Sequence, residues 1–234
     1  MPSLHNFRDA AESASMTPER LYRSAAPMGD VVDSDTVVHD SGVRVVIDLR
    51  DDSERALAAP SWQHDALRVI HVPVFENRLR DIRFNGLAEL YSIMIHDHAS
   101  ALARAFIAVA ENAGGGVLVH CTAGKDRTGV VIALVQSVVG VDRTVILDGY
   151  TRSQQLLGDD YLADLFRNID PELLPGGAAH RAVSSPPELL SELLDGIIAR
   201  HGSVEGFLTA HGVADEHFDH VREAYAIAEQ VPAV

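Results

Sequence analysis

Cys121 and Arg127 are separated by five residues in the stretch His120-Cys121-Thr122-Ala123-Gly124-Lys125-Asp126-Arg127-Thr128-Gly129, and Cys121 is the single cysteine of the chain. A cysteine and an arginine at that spacing can carry out substitution at phosphorus if the residues between them fold into a cup. The attacking species is the thiolate, whose pKa falls from about 8.5 to roughly 3.5–7.5 beside cations or at a helix N-terminus. The guanidinium presents a planar fork of donors that matches two phosphoryl oxygens and spreads the charge of the transition state. Attack by sulfur gives a cysteinyl-phosphate, a covalent route that requires no metal and no cofactor.

The flanking residues predict the elements that would shape the cup. Val117-Leu118-Val119 reads as a short buried strand, and Val130, Val131, Leu134, Val135 and Val138 recur at helical spacing. A loop that closes into a helix N-terminus aims several N–H groups at one hollow, and the helix dipole adds positive potential there. Thr122, Ala123, Gly124, Lys125, Asp126 and Arg127 are therefore the candidate binding residues for an anion of phosphate size. Gly124 permits the tight backbone such a turn needs. A buried cysteine ending a core strand would account for Cys121 but leaves Lys125-Asp126-Arg127-Thr128 without a reason.

His-Cys-x5-Arg-Thr resembles the loop of the cysteine-dependent protein tyrosine phosphatases. The longer form from His120 to Gly129 is similar to the bacterial branch of tyrosine and phosphoinositide phosphatases. Further boxes carry the resemblance: Asn6-Phe7-Arg8-Asp9, Tyr22-Arg23-Ser24, Asp48-Leu49-Arg50, and the Tyr150 to Ser153 spacing that follows a displaced Asp148. The resemblance implies an α/β fold, with a central, mostly parallel sheet flanked by helices and a helical C-terminal part. The 234 residues show no second core in their patterning and are expected to form a single phosphatase domain over 1–234, and the resemblance implies residues 157–190 as a candidate helical lid. It also implies that Asp48 pairs with Lys125 and holds it over the site, although Asp48 read without it would cap the turn that follows. Arg8 and Arg23 are expected to brace the active-site face as ion-pair partners. The single tryptophan, Trp62, precedes Gln63, so the Trp-Pro-Asp loop that supplies the acid in many tyrosine phosphatases is absent, and the resemblance implies that Asp126, the nearest carboxyl, is the candidate general acid and later the base. Thr128 offers a hydroxyl to the sulfur, and His120 orders the loop.

The expected substrate is a phosphoprotein or a phosphoinositide, with inorganic phosphate as product. Lys125, a second cation at the cup, suits a ligand with more than one phosphate, whereas relatives of this kind also accept phosphotyrosine, so both stay open. A rhodanese-like sulfurtransferase, which also presents a cysteine before a helix, and a non-enzymatic phosphate-binding module are the alternatives.

A net charge of −15 over 234 residues argues against nucleic acid as a partner. One cysteine excludes an internal disulfide and suits a reducing cytoplasm. The polar start Met1-Pro2-Ser3-Leu4-His5-Asn6 carries no apolar signal core, and no stretch reaches the ~18 apolar residues of a membrane span. A cytoplasmic protein is the expectation, with export lacking a signal left open; oligomeric state is not legible. His96-Asp97-His98 interrupts a helical pattern over residues 87–113. Two histidines two apart cannot share a helical face, so this is expected to be a surface bend and not a metal site.

Overall fold

The computed structural model describes residues 4–11, 16–28, 31–57, 62, 65–167 and 177–226. Among these, five strands form one sheet: β1 (Arg8–Asp9), β2 (Leu21–Ser24), β3 (Val43–Asp48), β4 (Arg68–His71) and β5 (Gly116–His120). Their order is β1-β2-β5-β3-β4, with β1 antiparallel to β2 and every other neighbour parallel. All five residues of β5, the middle strand, are buried, as expected where helices cover both faces of a parallel sheet.

Side-chain alternation divides these strands between two cores. Leu21, Ile47, Val117 and Val119 face a large apolar cluster, whereas Tyr22, Val46 and Leu118 face a smaller one with Leu4, Val38 and Trp62. Helix α1 (Val31–Asp40) supplies Val38 to the smaller cluster. The large cluster draws on α3 (Leu87–His96), α4 (Ala99–Ala110), α5 (Asp126–Val139) and α6 (Arg143–Leu156), with the short α2 (Asp52–Leu57) following β3. It extends through α9 (Pro187–His201), α10 (Val204–Ala210) and α11 (Asp215–Tyr225) by way of Leu190, Leu193, Phe207, Phe218 and Tyr225. Between α6 and α9 lie α7 (Asp159–Leu165) and α8 (Ala178–Val183).

One local expectation holds with detail added. The helical pattern after residue 87 breaks into α3 and α4, bent by 77°. The bend is not wholly at the surface, because His98 is buried with its Nδ1 3.1 Å from Glu76 Oε2. Asp142 caps α6 by accepting from the Thr144 amide at 2.8 Å. Among the described residues no single helix is long and apolar enough to cross a membrane.

Register sets the site. Asp48 stands beside His120 and Ser24 is paired with His120 across the other edge, so β2, β3 and β5 end level with one another. Ligand sites of open α/β sheets lie outside such strand ends. The chain from Cys121 to Lys125 fills that position before α5 begins at Asp126.

Candidate active site

The loop is fastened from behind. Gly124 has φ of +64°, and a Cβ there would come within 1.9 Å of the Ser24 carbonyl oxygen, so no other residue fits without moving β2. Asn6 Nδ2 donates to the carbonyls of Ala123 and Gly124 at 2.9 and 3.0 Å. Arg23 Nη2 donates to the Gly124 carbonyl at 2.8 Å and lies 3.3 Å from Ser153 Oγ. Arg8 donates to the Gly149 carbonyl and to Ser153 Oγ at 2.9 and 3.0 Å. The two arginines thus brace the face as expected, through bonds to carbonyls and to the Ser153 hydroxyl. Ser153 receives both, which explains why the Tyr-to-Ser spacing matters while Asp148 is exposed.

In front, Cys121 is a free thiol 2% exposed at the end of β5. Among the described residues no backbone carbonyl accepts from the amides of residues 122–127. They line the turn into α5, where a helix leaves its first N–H groups unpaired. Arg127, in the first turn of α5, is buried and held by a residue the sequence reading passed over. Glu54 on α2 accepts from Arg127 Nη1 and Nη2 at 2.6 and 2.7 Å and from Thr122 Oγ1 at 2.6 Å. The Phe75 ring lies 5.4 Å from the guanidinium carbon, a cation–π distance. Burial pushes Glu54 up, yet the charge and hydrogen bonds of Arg127, with Thr122, carry it down to about 2. The pair is a fixed, charge-assisted clamp.

Donor counting shows what the clamp leaves over. A guanidinium has five N–H groups. Arg127 Nη1 serves Glu54 and, at 3.4 Å, the Leu49 carbonyl, and one Nη2 hydrogen serves Glu54. Nε–H and the second Nη2 hydrogen remain, side by side on one edge, which is the bidentate geometry a phosphoryl group accepts.

Glu54 had a local signal. It lies three residues after Asp51, whose amide donates to Glu54 Oε2 at 2.9 Å, the reciprocal half of a capping box at the start of α2. Asp-x-x-Glu before a short helix marked this carboxylate as fixed, though not its partner.

Asp126 begins α5 with 20% of its side chain exposed. Its Oδ1 accepts from Tyr91 Oη at 3.0 Å, and Tyr91 Oη lies 2.7 Å from Tyr150 Oη. The same oxygen is 3.4 Å from Lys125 Nζ.

Three expectations are corrected. Asp48 does not pair with Lys125: it accepts from the Arg50 amide and Nε at 3.0 Å and from Arg50 Nη2 at 2.8 Å, closing the turn after β3. The side chain of Asp48 is drawn to the guanidinium two residues on. Lys125 instead donates to the carbonyls of Arg181 and Ser184 at 2.7 and 2.5 Å, with no exposure to solvent. Its ammonium is engaged with the C-terminal segment, so in this state it offers no free cation to a second phosphate. Thr128 Oγ1 is buried without a hydrogen-bond partner, so the expected bond to sulfur is not made.

His120 does order the loop. Its Nδ1 lies 3.1 Å from the Cys121 carbonyl and its Nε2 3.0 Å from Trp62 Nε1. An indole N–H can only donate, so Nε2 accepts, the ring is neutral, and Nδ1–H donates to the loop. Burial pushes His120 below its usual range, in agreement with that neutral form. Trp62, noted in the sequence only for the absence of a following proline, is the rear support of this histidine.

The candidate lid over 157–190 falls partly outside the described residues, which omit 168–176. Leu157 and Tyr161 cluster with Ala25, and Ala123, Ala182 and Val183 pack against them. Burial raises the Tyr161 phenol, as does negative charge at Cys121 and Asp126.

The family model described as "Tyrosine phosphatase family" matches residues 1–227. The chain belongs to this family. Among curated relatives of this tyrosine phosphatase family member, triple specificity protein phosphatase PtpB of Mycobacterium tuberculosis is 28% identical, the alignment covering 95% of this chain and 96% of the relative. A tyrosine-protein phosphatase of Nostoc commune is 25% identical, over 92% of this chain and 77% of the relative. The solved structure of TpbA from P. aeruginosa covers 91% of this chain and 98% of its own, at 21% identity and a TM-score of 0.39.

Proposed function

We propose that this family member hydrolyses aryl phosphomonoesters, phosphotyrosine foremost, through a cysteinyl-phosphate on Cys121. One observation carries the reading: unspent loop amides, the Cys121 sulfur and a clamped Arg127 with one free edge belong to a single turn. The Cys121 sulfur attacks phosphorus as the P–O ester bond breaks, and Asp126 gives its proton to the departing oxygen. Asp126 then takes a proton from water, whose oxygen attacks phosphorus. The P–S bond breaks, returning the thiolate and releasing inorganic phosphate. Arg127 and the amides of residues 122–127 hold the three equatorial oxygens throughout.

The M. tuberculosis relative is described as a triple specificity phosphatase, which supports extending the substrate range to phosphoinositides. In that reading Lys125 leaves the carbonyls of Arg181 and Ser184 and meets a second phosphate. Because Cys121 is 2% exposed, substrate entry also requires α7 and α8 to lift from Ala123.

Cys121→Ser tests the mechanism. The expected result is complete loss of phosphate release from p-nitrophenyl phosphate, with vanadate binding retained; turnover that survives the substitution excludes the covalent route. Assaying the wild-type protein on a phosphotyrosine peptide and on phosphoinositide micelles at matched concentration decides the substrate range, and release from the micelles alone would overturn phosphotyrosine as the main substrate.

A further inference from the structure

Two buried phenols end on the carboxylate that the proposed function uses as general acid. Tyr91 projects from α3 and Tyr150 from α6, both almost without exposure, and their oxygens are 2.7 Å apart. Tyr91 Oη is also 3.0 Å from Asp126 Oδ1. A carboxylate can only accept, so the single proton of Tyr91 goes to Asp126, and Tyr150 must then donate to Tyr91. The chain runs Tyr150 O–H to Tyr91 O–H to Asp126 Oδ1. Burial, together with the charge of Asp126, raises both phenols, so they stay protonated and act as donors throughout the working pH range.

The consequence lies in which oxygen of Asp126 is occupied. Tyr91 and the ammonium of Lys125 both approach Oδ1. Among the described residues no hydrogen bond or ion pair reaches Oδ2, and the side chain keeps 20% exposure, so the carboxylate is fixed through one oxygen. We propose that Tyr91, backed by Tyr150, is a positioning residue that pins Asp126 Oδ1 and thereby assigns Oδ2 to carry the proton to and from the reacting oxygen. This rests on the phosphatase reading and deepens it. The Tyr91 ring also belongs to the apolar cluster, so Tyr91→Phe keeps the packing and removes only the hydroxyl. Tyr150 has a second duty, because a Cβ on Gly129 would meet its ring at 2.9 Å; Gly129 exists to let it pass.

If Tyr91 acts through Asp126, its loss must matter where protonation matters. For Tyr91→Phe, kcat/KM, which reports formation of the cysteinyl-phosphate and excludes the hydrolysis step common to both esters, is expected to fall about tenfold on phenyl phosphate, a poor leaving group, a fraction of what general acid catalysis supplies. On 2,4-dinitrophenyl phosphate, whose leaving group needs no proton, the fall in kcat/KM is expected to stay under about twofold. In an Asp126→Asn background the same substitution is expected to add nothing, because the two residues then form one unit. Tyr150→Phe, which leaves the Tyr91 bond in place, is expected to show the same leaving-group pattern at about a third of the size; should Tyr91→Phe fail to fold, this variant carries the test. Equal losses on both esters, or losses that multiply with Asp126→Asn, would overturn the positioning role while leaving the phosphatase reading intact. No phosphate release by the wild-type protein from either ester would overturn both.

Discussion

Arg127 and Arg23 are buried guanidiniums on opposite sides of the same turn, and their partners differ in charge. Arg127 faces the carboxylate of Glu54, and although burial pushes its pKa down, that charge raises it above the ordinary arginine value. Arg23 donates to carbonyls and Ser153, and its Nε is buried with no partner. Burial lowers it to about 10, and among the groups that oppose this, negative charge at Cys121 comes first. A neutralised arginine and an uncompensated one do different work. Arg127 is a shaped donor with little net charge to spare, whereas Arg23 is a net positive charge behind the sulfur. Grip and field are therefore divided between the two sides of the loop, which lets a protein of net charge −15 keep a local anion site.

Substitutions on the two sides should separate these roles. The largest effect is expected for Arg127→Ala, which removes the bidentate edge and leaves Glu54 buried beside the substrate: kcat/KM on p-nitrophenyl phosphate falls about a thousandfold or more, and vanadate affinity falls with it. A loss confined to kcat with vanadate binding intact would deny Arg127 the role of grip. Arg23→Met should act on the sulfur and spare the grip. Alkylation of Cys121 by iodoacetamide at pH 6 is expected to slow about tenfold, while vanadate affinity changes far less. An unchanged alkylation rate would mean that Arg23 serves the loop only as a mechanical brace.

The smallest effect concerns stability. Glu54 titrates near 2 when folded against 4.5 when unfolded, so it stabilises the fold above pH 4.5 and that contribution is lost as pH falls toward 2. Urea midpoints of the wild-type protein should therefore drop through this window with a component of at most about 1.4 kcal/mol per pH unit. Glu54→Gln should be less stable at pH 7 and show a shallower decline; parallel pH curves for the two proteins would show that the clamp does not set acid stability.

The parts of the site legible in the sequence are those that neighbouring residues decide among themselves. Val117 to Val119 alternate across a strand, Gly124 is required by its own backbone angle, and the helix begins where Asp126 to Thr128 meet the apolar spacing after Val130. The cup lies within ten consecutive residues, so its composition and its geometry come from one local stretch. Asn6, Trp62 and Tyr91, by contrast, look like a turn residue, an aromatic and a helix-face aromatic until packing sets them against Gly124, His120 and Asp126.

What tertiary structure alone decided was the pairing of charges. Lys125 reached carbonyls 56 and 59 residues away and Glu54 closed on Arg127 across 73, whereas Asp48 took the local turn-capping role that its own neighbours made legible. An ionic side chain pairs with whichever group the crossing of elements brings within about 4 Å, because Coulomb energy falls with separation and burial penalises a charge without a partner. Residue types and spacing specify a strand, a turn and a helix start; the distance between two such elements belongs to the packed chain as a whole.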